Sequence, residues 1–189
     1  MIRSAFRSFV LSLMLVLPLT ACGDENGDAG AVSAARTFYD IVLKARSSGV
    51  PDDELRAELR PVISPDLDSL IAQAAEAERR HTERTNNEEP PYLQGDIFSS
   101  LFEGATGYEI GPCVDAGENG ETSLRCDVML VHDAENEPVQ WTDRVVLAGR
   151  GGPEDRLWLV DNIEYGGDWD FAPKGSLKDS LRAVIAEEE

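Results

Sequence analysis

From Thr106 onward the chain alternates apolar and polar residues, and inside that stretch stands the string CVDAGENGETSLRC, running from Cys113 to Cys126. Asn119-Gly120 is a strong two-residue hairpin signal, because both residues tolerate positive φ. With those two at the tip, facing residues have numbers that sum to 239, as Cys113 and Cys126 do. Counting outward, 118/121 is a hydrogen-bonded pair and the pairs alternate. Cys113 and Cys126 therefore form a non-hydrogen-bonded pair, with Cα atoms about 4.5 Å apart before adjustment, within reach of a disulfide. The register predicts a Cys113–Cys126 bond, against the alternative of two buried thiols. It is structural, since no C-x-x-C motif is present. Cys113 shares parity with Glu109, whereas Tyr108 and Ile110 point the other way. Gly111-Pro112 is the place for a bulge that would shift the face.

The same period gives four strands: Thr106 to Asp115, Thr122 to Asp133, Pro138 to Gly149 and Arg156 to Tyr165. Short connections with turn chemistry imply antiparallel pairing. Ahead of them the period is helical. Ala31 to Ser47 places Ala34, Ala35, Phe38, Ile41, Val42 and Ala45 three and four apart, and Gly49 stops it. Pro51-Asp52-Asp53 opens a short second helix with Leu55 and Leu59 apolar. Ser64-Pro65-Asp66 starts a third with a serine cap, a proline in the first turn and an acid near the positive dipole end. Its inward positions are Leu67, Leu70, Ile71, Ala74 and Ala75 or Ala77, and its last turns, "EAERRHTER", read as charged all round and solvated. "IFSSLFEG" reads as one or two further turns of helix. Ser176 caps a last helix carrying Leu177, Leu181, Val184 and Ile185. Helices set apart from an antiparallel sheet make an α+β domain.

Cysteine 22 leaves that pair and needs its own account. Residues 1–21 read as a bacterial signal peptide: Arg3 and Arg7, then an apolar stretch from Phe9 to Leu19 that is too short to span a membrane. Leu19-Thr20-Ala21-Cys22 resembles the lipobox of bacterial lipoproteins. That resemblance implies cleavage before Cys22, a thioether-linked diacylglycerol on its thiol and an acylated amine, since two or more acyl chains are needed for stable anchoring. Gly23 follows where an aspartate would retain the protein at the inner membrane in enteric bacteria, which favours the outer membrane, facing the periplasm. Residues 22–30 are acidic and glycine-rich and read as a flexible tether, leaving 31–189 as one domain. An exported chain meets an oxidising compartment, where the disulfide persists.

Removal of residues 1–21 leaves 15 basic and 36 acidic residues, a net charge of −21 over 168 residues. Such a domain repels nucleic acid and anionic headgroups; a partner with a basic surface would suit it. Catalytic constellations are missing from the pattern. His81 lies in "RRHTER", read as a solvated face, and His132 ends a strand beside Asp133, read as a sheet rim. Neither stands at metal-ligand spacing, and no metal or cofactor is expected. No G-x-S-x-G, P-loop or dinucleotide fingerprint occurs. Asp143 and Asp161 interrupt apolar strand faces, and with Trp141 they are the candidate pocket residues. A carboxyl in an apolar pocket has a raised pKa and can move protons. The alternative is pairing with an arginine such as Arg144 or Arg156. "GGDWDF" sets Trp169 and Phe171 between acids, as a ligand rim or as packing for a returning loop.

The order helix–helix–helix–four strands–helix, with "GDIFSSLFEG", "LWLVDNIEYGG" and "SLKDSLRAVI", resembles an uncharacterised family of bacterial envelope lipoproteins with the cone-shaped α+β fold named after the nuclear transport factor. The resemblance covers Val32 to Ile185. It implies a curved sheet whose concave face is covered by the N-terminal helices, leaving a pocket. Relatives of that fold include isomerases and dehydratases as well as proteins that only bind, and some envelope members look like immunity proteins against toxins. With no His–Asp dyad to carry catalysis, the expectation is a non-enzymatic binding protein, with a small-pocket isomerase or dehydratase, or a periplasmic immunity protein, as the alternatives.

Overall fold

The computed structural model describes residues 25–118, 120–134 and 137–188. Four helices and four strands follow the order α1 (Glu25–Ala45), α2 (Asp53–Leu59), α3 (Pro65–Arg84), β1 (Gly107–Asp115), β2 (Ser123–His132), β3 (Val139–Arg150), β4 (Leu157–Glu164) and α4 (Leu177–Glu187). The strands form one antiparallel sheet in sequence order, β1-β2-β3-β4. The architecture is α+β. Cys22 and the signal segment lie outside the described residues.

The sheet buries one face. Cys126, Val128 and Leu130 of β2 point the same way as Trp141, Asp143, Val145 and Leu147 of β3, and all are buried. α1 lies against this face and touches all four strands, while α3 and α4 pack on each other and on β4. The stripe α1 presents is Ala31, Ala35, Phe38, Tyr39 and Val42; Ala34 and Ile41 are half-buried and Ala45 is exposed. The helix also starts at Glu25, inside the stretch read as a tether. A Cβ on Gly30 would stand 3.0 Å from Cδ1 of Trp158, so this early turn packs closely on β4.

Caps define the other helices. Asp52 accepts from Leu55 N at 2.9 Å, Ser64 from Leu67 N at 3.0 Å and Ser176 from Asp179 N at 3.3 Å. The expected helix over "IFSSLFEG" does not form. Asp96 takes the N–H of Phe98 at 2.8 Å and the hydroxyl of Ser99 at 2.8 Å, and Asp96 N bonds to Phe102 O at 2.9 Å. Local side-chain bonds of this kind compete with helix. Ile97 and Phe98 still point inward, while Phe102 is exposed.

Two bulges set which way side chains face. In β1 the register shifts between Ile110 and Cys113, at Gly111-Pro112, so that Cys113 faces Cys126. The bond between them forms, with Cα atoms 3.9 Å apart. In the β3–β4 pair Val146 faces Asn162 and Leu147 faces Val160, which leaves Asp161 as the extra residue. β4 is not left as a free edge: Ser64 N bonds to Val160 O at 2.8 Å, and Val160 N to Val62 O at 2.9 Å.

Candidate functional site

Asp143 is 0 % exposed and holds no cation. It instead collects four donors. Ser100 N and Gly166 N each reach a carboxylate oxygen at 2.8 Å, Trp141 Nε1 donates at 3.1 Å, and the Ser100 hydroxyl closes on Oδ1. Ser100 Oγ in turn accepts from Gly167 N at 3.0 Å. Gly166 has to be glycine, because a Cβ there would sit 2.0 Å from Thr142 O. β3 supplies the acid and the indole donor, and two loops, 96–103 and 166–172, bring the other donors. Trp169 of the second loop meets the Trp141 ring edge-on at 5.9 Å, while Phe171 points into solvent, 95 % exposed. The arrangement satisfies a buried charge by hydrogen bonds alone, as burial demands.

Asp161 is elsewhere. The β4 bulge aims it at Ser64 Oγ, 2.6 Å away, and at Lys178 Nζ, 2.7 Å away. Lys178 is buried and also reaches Asp66 at 2.6 Å, and it holds the Asp66 carboxyl below its usual range through their hydrogen bond. The expected arginine pairings are therefore corrected. Arg144 pairs with Asp127 on the outer face, and Arg156 stands over the Trp158 ring. Trp141 and Asp143 come together as one group; Asp161 belongs to a separate clamp between β4, α3 and α4.

His81 is also corrected: it is buried, not solvated. Its Nε2 donates to Pro90 O at 3.0 Å, and its Nδ1 accepts from Arg84 at 3.1 Å. Arg84 and Tyr92 converge on Glu188, the two bonds holding its carboxyl below the usual range, Arg84 contributing most. His132 keeps its rim position, with Nδ1 donating to Gly104 O at 2.7 Å.

Sequence reasoning missed a polar interior beside Asp143. The Tyr39 hydroxyl is buried with no partner, and burial first, then the charges of Asp143 and Asp96, push its pKa well up. Tyr165 donates to Ile97 O at 2.7 Å and is likewise raised, chiefly by burial. Burial also raises the Asp96 carboxyl, against the two donors that oppose it. Asp96 was legible only as a turn residue after Gly95. Among the described residues no group of three or more His, Cys, Asp or Glu could hold a metal ion, and no helix is long and apolar enough to cross a membrane. Neither a family model, nor a curated protein, nor a solved structure matches the chain.

Proposed function

We propose that the chain is a lipid-anchored bacterial envelope protein whose folded domain works by binding a ligand or partner rather than by catalysis. The observation that carries the binding reading is the state of Asp143. The acid best placed to move protons is wholly enclosed, and its oxygens are occupied by two backbone N–H groups, an indole and a hydroxyl. A general base must reach its substrate directly or through one water. Asp161, the other candidate, is neutralised by Lys178.

Support for the anchor comes from Leu19-Thr20-Ala21-Cys22 behind a basic and apolar leader, and from the disulfide, which belongs to oxidising compartments. Gly23 favours the outer membrane. The element order supports a place beside the cone-shaped envelope lipoproteins, and the acidity favours a partner with a basic surface. Membrane fractionation with labelled palmitate tests the anchor. The parent chain is expected in the membrane fraction and labelled, and Cys22→Ser soluble and unlabelled. A Cys22→Ser chain that stays in the membrane would overturn the anchor.

A further inference from the structure

The residue that closes α1 is an arginine where glycine is the comfortable choice. Arg46 has φ 49°, and its N–H bonds back to Val42 O at 3.1 Å. An L residue is strained in this left-handed position and glycine is not. Arg46 lines a cavity of about 260 Å³ between the end of α1, the 95–106 segment and the end of β2. Asp96 and Glu103 line the same cavity. Arg46 has no acidic partner within 4.0 Å among the described residues, so it and Asp96 share the space without neutralising each other. Asp96 has two donors, neither of them cationic, and is half-buried. The apolar part of the wall is Val42, Leu43 and Phe102.

An exposed arginine with no acidic partner among the described residues, a half-buried carboxyl with no cationic one and an apolar wall line one small space, and together they are complementary to a molecule carrying both charges and an apolar tail. We propose that this cavity binds a free α-amino acid with an apolar side chain, its carboxylate on Arg46, its ammonium on Asp96 with Glu103, and its side chain against Val42, Leu43 and Phe102. The proposal rests on the ligand-binding reading and names its ligand class. The volume suits a molecule of this size, and charge-assisted bonds at both ends supply the selectivity.

Isothermal titration of the purified full chain in detergent tests it, with L-phenylalanine and L-leucine as probes. The controls are 2-phenylethylamine, which lacks the carboxylate, and 3-phenylpropanoate, which lacks the ammonium. Both amino acids are expected to bind saturably at millimolar concentration or below, and each single-charge control at least about tenfold more weakly. Arg46→Gly is expected to melt no lower than the parent and yet lose at least about tenfold in affinity, while Arg46→Lys retains part of the binding. No saturable heat from either amino acid, equal binding of the controls, or undiminished binding by Arg46→Gly would each overturn the proposal. Such a failure would leave the anchor standing if Cys22→Ser still releases the chain.

Discussion

Replacing Asp143 by asparagine keeps the side chain's volume but turns one acceptor oxygen into an NH₂ that faces donors. Ser100 N, Gly166 N, the Ser100 hydroxyl and the Trp141 indole all point at that carboxylate. At least one pair of donors then confronts each other inside the protein. Asp143→Asn is expected to cost about 2–4 kcal/mol of stability, read from urea unfolding followed by tryptophan fluorescence. An unchanged midpoint would mean that the loops are held by something else. At the second clamp, Lys178→Met removes the cation between Asp161 and Asp66 and is expected to cost about 2 kcal/mol, most of it from the more enclosed Asp161. The pH profile separates the acids. Asp66 has a lowered folded pKa, so it stabilises above its unfolded value of about 3.9, and that contribution fades as pH falls through the folded value. Asp96 has a raised pKa and acts in the opposite sense, costing stability at neutral pH and recovering it on acidification. Unfolding curves between pH 7 and about pH 2 should show Lys178→Met losing the decline below the ordinary aspartate range.

At the scale of elements, the hairpin was the most legible part of the chain. Asn119-Gly120, the parity of Cys126 and the spacing to Cys113 together set the β1–β2 pairing, and Asp115 facing Leu124 keeps the same register. The four strands begin and end within a residue of where the alternation placed them. What the pattern did not carry was the bulge at Asp161, because a single inserted residue changes which side faces inward without changing composition. The missing helix after Asp96 has a similar cause: apolar spacing suggested helix, and a short acid that could bond its own loop won. His81 was legible in principle. It lies on the Leu67, Ile71, Ala74, Ala77 stripe, but the charges around it masked the period. Breaking the disulfide tests how much the hairpin contributes. Cysteines 13 apart close a small loop, and reduction is expected to lower stability by about 3 kcal/mol in paired denaturation curves with and without reductant. Coincident curves would show that strand pairing alone holds the hairpin.

Across the whole molecule, negative charge is in large excess. The sequence carries a net charge of −19. Ion pairs among the described residues are mostly exposed; the Arg56–Asp68 pair is half-buried, and the Lys178 and Glu188 clusters reach inside. Self-repulsion on this scale weakens the compact state and is screened by salt. Raising sodium chloride from about 0.05 to 0.5 M should therefore raise the melting temperature by a few degrees. A fall would mean that the ion pairs outweigh the repulsion. Architecture was legible from period alone; the cavity lined by Arg46 and Asp96 was not, because it joins residues whose proximity depends on how α1 ends.

One closed edge has a consequence for the sheet as a template. Residues 62–64 already occupy the outer hydrogen-bonding groups of Val160, so a second copy cannot extend the sheet there. Growth would have to start from β1, whose Pro112 offers no N–H and whose bulge interrupts the ladder. Many copies held close together would thus have no flat edge on which to polymerise, and could stay crowded as separate molecules.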